Sequence, residues 1–263
     1  MKIGLIGYGA IAQYVAAALP GLGAEATFVI ARPGREAAAS AALGGVPASL
    51  SIADVPELPD LVVECAGHGG LRAHGVSVLE RGCPLLTASI GALAEDALHD
   101  ALRDAARGAG SRLHLASGAI GALDAIGAAR MGALSSVTYS GRKPPRGWAG
   151  SRAEEVLDLE TMTGEARAHF DGTARDAALL YPKNANVAAA VALAGLGFDA
   201  TRVQLIADPS ATANVHEIHA EGDFGSLRFE IAGKTLPGNP RTSALAAMSM
   251  VREIAALSAP MRF

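Results

Sequence analysis

The N-terminal dozen residues constrain the fold most. Ile3 to Ile6 form an apolar run too short for a helix and cut off by Gly7. Behind the break, Ile11, Val15, Ala18 and Leu19 recur at helical spacing. Strand, glycine turn and helix therefore follow one another within Gly7-Tyr8-Gly9-Ala10-Ile11-Ala12, the context in which G-x-G-x-x-G/A marks a dinucleotide site. Gly7 permits the tight turn, Gly9 removes a side chain where a pyrophosphate must approach, and Ala12 keeps the helix close to the strand. The helix N-terminus then offers amides and partial positive charge to phosphate. A glycine-tight turn that binds nothing is the bland alternative.

Strand and helix patterns continue to alternate. Ala24 to Ile30 reads as a second strand, Glu36 to Leu43 as a helix and Leu50 to Ile52 as a short strand. Asp60 to Glu64 is a strand running into Ala66-Gly67, small residues that let backbone approach a dinucleotide. His68 and His74 follow as ordinary polar residues, with a helix from Val76. Pro84 to Thr87, a helix over Asp96 to Ala109, and Arg112 to Ala116 complete the series. The small-residue turn Ser117 to Ala122 opens another helix. Such alternation implies a Rossmann-type doubly wound parallel sheet in an α/β fold.

The end of the second strand bears on cofactor choice. An Asp or Glu there accepts from a ribose 2′-hydroxyl. Here Ala31-Arg32-Pro33-Gly34-Arg35 occupies the place. Arg32, backed by Arg35, suits a 2′-phosphate, which favours NADP without excluding NAD. Both arginines could equally be solvated loop residues.

The pattern changes after about residue 129. Val137 to Ser140, Arg202 to Ala207, Asn214 to Glu221 and Leu227 to Ile231 read as strands joined by short turns, so a second α+β domain with a mostly antiparallel sheet is expected. We expect a dinucleotide-binding domain over 1–122, with the last helix, within 242–263, packed back on it. Residues 123–241 form the expected substrate-binding and dimerisation domain. Gly141 to Trp148 reads as a basic loop whose Arg142 and Lys143 could hold a carboxylate, though such clusters are usually just solvated. Thr163 to Ala166 could begin a helix. Lys183, Asn184 and Asn186 open a very apolar helix; an asparagine there caps the helix or bonds a nicotinamide carboxamide. Gly238 to Ser243 leads into the final helix. Period-two alternation turns His216 inward with Ile218 and Ala220, and His219 outward. A lone inward histidine is more often a satisfied core residue than a catalyst.

Half of the 263 residues are apolar, enough for one large core or two smaller ones. The net charge of −4 and the lack of a basic, aromatic-rich stripe argue against nucleic-acid or anionic-membrane partners. No apolar stretch is long enough to span a bilayer, and the N-terminus enters a strand at once instead of a signal peptide. Cys65 and Cys83 form no metal-binding spacing, so no metal is expected. The expectation is a soluble cytoplasmic protein.

Several separated segments then agree with one family. Gly7 to Ala12, Ser117 to Gly121, Pro182 to Ala188, Ala207-Asp208-Pro209, Asn214 to Ile218, Gly222 to Gly225 and Asn239 to Ser243 resemble the L-aspartate dehydrogenases over nearly the whole chain. The glycine turn is common to many dehydrogenases; the later segments are more specific. The resemblance implies oxidation of L-aspartate to iminoaspartate with NAD or NADP, and a homodimer. Iminoaspartate hydrolyses to oxaloacetate and ammonia or feeds quinolinate formation in NAD biosynthesis. The resemblance also implies that His216 is the active-site residue. The nicotinamide site maps to Ala119 or Ala122 and to Asn184 or Asn186, and the phosphate turn to Gly7, Gly9, Ala10 and Ile11. A dicarboxylate substrate needs cations, for which Lys183, Arg241, Arg142 and Lys143 are candidates, assisted by Thr242. Another amino- or imino-acid dehydrogenase on the same scaffold, or a non-catalytic NADP(H) sensor, are the alternatives.

Overall fold

A computed structural model describes residues 1–182 and 186–261, the side chains of Pro240 and Arg241 apart. The chain divides into two compact units, Met1–Gly118 with Ala246–Phe263, and Ala119–Leu245.

The first unit is built on β1 (Lys2–Ile6), β2 (Glu25–Ile30), β3 (Ala48–Ser49), β4 (Leu61–Glu64), β5 (Leu85–Thr87) and β6 (Leu113–Leu115). Their order is β3-β2-β1-β4-β5-β6 and every pairing is parallel. Helices α1 (Ala10–Ala18), α2 (Glu36–Ala42), α3 (His68–Glu80) and α4 (Asp96–Gly108) make the crossovers. The chain reverses direction across the sheet beside β1, so β1 and β4 end at the switch point where such sheets bind ligands. Ile3, Leu5, Val29, Val63 and Leu86 are completely or almost completely buried in one core, each contributing about 1.5–3 kcal/mol relative to exposure.

The second unit holds α5 (Leu123–Ala129), β7 (Leu134–Lys143), β8 (Arg167–Thr173), α6 (Ala174–Leu180), α7 (Asn186–Ala194), β9 (Arg202–Ala207), β10 (Asn214–Gly222) and β11 (Gly225–Gly233). Its five-stranded sheet runs β11-β10-β7-β9-β8, antiparallel except for the β7–β9 pair. A separate hairpin joins β12 (Thr235–Leu236) to β13 (Asn239–Ser243). Helix α8 (Ala244–Ser258) follows, and its Met250 and Ile254 enter the core of the first unit.

Five local expectations need correction. The short strand is Ala48–Ser49, and Ile52–Asp54 is a 3-10 turn whose start is fixed by Ala53 N–H donating to Ser51 Oγ at 3.1 Å. Helix α3 begins at His68, not near Val76; Gly69, Gly70 and Gly75 weaken its helical signal. Two of these glycines serve packing instead: a Cβ on Gly70 would lie 2.6 Å from Ala66 Cβ, and one on Gly75 2.8 Å from Leu102 Cδ2. Strand β7 extends through Arg142 and Lys143, which are therefore strand residues and not part of a basic loop. No helix starts at Thr163–Ala166; β8 intervenes, and α6 is capped by Thr173 Oγ1 accepting from Asp176 N–H at 3.1 Å. Thr242 lies on β13 because a hairpin, with Gly238 at φ +75°, precedes the final helix. Among the described residues, no helix is long and apolar enough to cross a membrane.

Candidate active site

In the first unit the site is made of main chain. Gly7 sits at φ +88°, which only glycine adopts at little cost. Its N–H donates to Ile30 O at 2.9 Å, and a Cβ there would stand 2.8 Å from Ala66 Cβ. Gly9 caps α1 without a side-chain cap, and a Cβ on it would meet nothing within 4 Å. The first α-helical bond runs from Gln13 N–H to Gly9 O, so the amides of Ala10, Ile11 and Ala12 have no intrahelical acceptor. No acid stands in that first turn. Open space, unsatisfied amides and absent negative charge together fit a phosphate.

Beside this turn, Ala66 and Gly67 follow β4 and are held by an acid that the apolar pattern of the strand does not single out. Glu64 is fully buried and accepts from Ala66 N–H at 2.6 Å, Gly67 N–H at 2.9 Å and Thr87 O–H at 2.6 Å. Burial pushes its carboxyl above the usual range despite these donors. An acid inside the apolar run Leu61 to Cys65 was the available signal. Arg32 and Arg35 are exposed on one turn, with Arg35 N–H donating to Arg32 O at 3.0 Å. Neither guanidinium has a partner among the described residues.

In the second unit the site is made of side chains. Tyr139, Gly141 and Lys143 share one face of β7, and register sets His216 of β10 opposite Gly141. His216 is 5% exposed, and its Nδ1 lies 2.7 Å from the Tyr139 hydroxyl. The two ring planes are nearly parallel, 18° apart. Gly141 makes room for this pair, since a Cβ there would stand 2.7 Å from the Tyr139 oxygen. Burial, then the Lys143 charge, lowers the His216 pKa to about 4; burial also raises that of the Tyr139 phenol. Lys143 lies over the Trp148 ring, 4.6 Å from its centroid, and burial lowers its pKa to about 8. Trp148 is fully buried and donates from Nε1 to Ile206 O at 2.9 Å.

A second buried histidine lies against Trp148. His169 occupies the irregular step between Ala168 and Phe170 on β8, which explains why alternation did not reveal it. Its Nδ1 is 3.2 Å from the Tyr181 hydroxyl, and its ring meets Trp148 edge-on at 4.4 Å. Its Nε2 is buried without a hydrogen-bond partner among the described residues. Burial, then the Lys143 charge, brings its pKa to about 4.

The other candidates are dispersed. Arg142 donates from Nη1 to Asp208 Oδ2 at 2.8 Å. Asp208 also accepts from the Ser210 amide and hydroxyl, and with Arg142 these donors pull its carboxyl to about 2. Because the pleat alternates, Lys143 shares the His216 face and Arg142 does not. Ala119 is buried, and Ala122 holds φ +61°, the only positive φ outside glycine among the described residues. Asn186 is the first residue of α7. Lys183, Asn184 and the Arg241 side chain lie outside the described residues. His219 is exposed and lies 2.6 Å from Glu217 Oε1. Among the described residues, no group of three or more His, Cys, Asp or Glu could hold a metal.

The family model for aspartate dehydrogenase, C-terminal, matches residues 124–257, and that for homoserine dehydrogenase, NAD binding domain, matches residues 7–116. An L-aspartate dehydrogenase of Ruegeria pomeroyi is 59% identical over 262 residues, covering 100% of this chain and 94% of the relative. One from Pseudomonas aeruginosa is 51% identical over 214 residues, covering 81% of this chain and 80% of the relative. The crystal structure of an aspartate dehydrogenase from Thermotoga maritima shares the fold at TM-score 0.77 and 23% identity, covering 100% of this chain and 99% of that one. With both family models matched in order and identity above one half across its whole length, the chain belongs to the L-aspartate dehydrogenase family.

Proposed function

We propose that this protein oxidises L-aspartate to iminoaspartate with NAD or NADP, and that His216 is its catalytic side chain. The observation carrying this is a buried histidine held by Tyr139, with Lys143 on the same sheet face, inside the segment matched by the aspartate dehydrogenase model. Gly7, Gly9, Ala10 and Ile11 bind the pyrophosphate, Ala66 and Gly67 leave room for the dinucleotide, and Arg32 faces the adenosine ribose. Ala119 or Ala122 and Asn184 or Asn186 contact the nicotinamide. The oxidised nicotinamide, when bound, accepts a hydride from the substrate Cα. Lys143 attracts a substrate carboxylate, and Lys183, Arg241 and Thr242 remain candidates for the other. Arg142 is a weaker candidate, being engaged by Asp208. In the same proposal the protein is a cytoplasmic homodimer, and its product hydrolyses to oxaloacetate and ammonia or supplies quinolinate formation.

Reduced-nicotinamide absorbance during incubation with L-aspartate, at mildly alkaline pH and with each cofactor in turn, tests the assignment. Turnover supports it. Bound cofactor without turnover removes aspartate as substrate and directs attention to other amino acids. The parent is expected to use NADP at least as well as NAD, and Arg32→Ala to lower NADP use about tenfold relative to NAD, the loss of one charge-assisted contact. An unchanged ratio removes Arg32 from cofactor choice.

A further inference from the structure

The Tyr139–His216 contact fixes which ring nitrogen carries hydrogen. Tyr139 is 1% exposed, and among the described residues the one hydrogen-bond partner of its hydroxyl is His216 Nδ1, at 2.7 Å. A phenol has one hydrogen to donate, and a neutral imidazole has one N–H and one lone pair. Were Nδ1 protonated, two hydrogens would compete for one contact, or the buried O–H would be left without an acceptor. Donation from Tyr139 to Nδ1 satisfies both groups and leaves the hydrogen of neutral His216 on Nε2. That nitrogen makes no hydrogen bond among the described residues.

We infer that Tyr139 is a positioning residue that locks His216 as its Nε2–H tautomer, so that His216 binds a substrate carboxylate as a hydrogen-bond donor and does not act as the base. The inference rests on the proposed role of His216 in the reaction. Three features of the site agree with it. An ammonium substrate has no lone pair for an N–H donor, so its carboxylates are the acceptors available. Lys143, on the same face, adds the matching positive charge. Burial and the Lys143 charge also keep His216 neutral down to about pH 4, far below where an amino acid loses its ammonium proton. Among the described residues, Tyr139 and Lys143 of β7 are the titratable groups that share the His216 face or act on its charge, and Ile231 of β11 is its other register neighbour. The ammonium proton then passes to solvent in an alkaline pre-equilibrium.

Nitrogen NMR of the full chain labelled at histidine reads the tautomer directly. Near pH 8 the expected spectrum of the parent has a pyrrole-type Nε2 and a pyridine-type Nδ1 for His216, and Tyr139→Phe mixes the two forms. A pyridine-type Nε2 in the parent overturns the inference. Kinetics separate donor from base. Gln presents an N–H close to where Nε2–H stands, so His216→Gln is expected to keep kcat within about tenfold of the parent, to keep its pH profile and to raise KM for aspartate. A base predicts that Gln and Ala both lose about 10²–10⁴ in rate, and that result overturns the donor role. A His216→Ala protein with parental kinetics instead removes His216 from the reaction, while the nitrogen spectrum still decides the tautomer.

Discussion

The candidate site in the first unit is made of main chain, and that in the second of buried side chains. Around Gly7 and Gly9 the useful groups are amides at the start of α1, and the residues there matter for what they lack: a Cβ, a charge, a side-chain cap. Around His216 the useful groups come from β7 and β10, and residues apart in sequence set their geometry. Backbone tolerates little change in shape but much in chemistry; a buried polar pair tolerates neither. The consequence is that the two units should fail differently when altered.

The largest expected effect is at Gly9. A Cβ there meets nothing within 4 Å and φ is −71°, so Gly9→Val should fold with a melting temperature close to that of the parent. On the proposed assignment its side chain takes the place of the pyrophosphate, and dinucleotide affinity should fall by about a hundredfold, roughly the equivalent of 2.7 kcal/mol. Titration calorimetry with NADP checks this; parental affinity would break the assignment of the turn.

Gly141→Ala is the counterpart in the second unit. Its Cβ falls 2.7 Å from the Tyr139 oxygen and must displace the phenol from His216. We expect kcat/KM for aspartate to fall about tenfold, mostly through KM, the cost of one hydrogen bond of roughly 1–1.5 kcal/mol, with cofactor affinity unchanged. Equal losses in both would show that the two units are not separable in this way.

The smallest effect concerns pH. His169 and His216 both have folded pKa values near 4, below the ordinary histidine value of 6.5. Between those limits the unfolded chain binds more protons, so their contribution to stability is full above pH 6.5 and lost on acidification toward pH 4. Denaturant midpoints measured across this interval should fall with pH, and His169→Phe should flatten the slope. An unaltered slope would mean that His169 is protonated in the folded chain.

Legibility in the sequence followed the same division. The strand–turn–helix at the N-terminus is a local pattern, so motif and structure coincide within a few residues. The inward setting of His216 was likewise visible, because alternation along β10 is local. Its partner was not: Tyr139 lies on another strand, and only the register that sets Gly141 opposite His216 brings the two together. His169 was hidden by the irregular step in β8, and Glu64 by its apolar neighbours. The glycines of α3 concealed the start of a helix because close packing and helix propensity make opposite demands at one position.

By itself the sequence determined the alternation that builds a parallel sheet, the glycine turn, the absence of an acid after β2, and the family resemblance. Each is carried by short segments, within which backbone sterics and periodicity act directly. Only the tertiary structure decided which residues surround His216, that Arg142 is engaged by Asp208 while Lys143 faces the histidine, and that Glu64 shapes the Ala66–Gly67 turn. Those outcomes depend on strand order and register, which many distant contacts fix together and no single segment encodes.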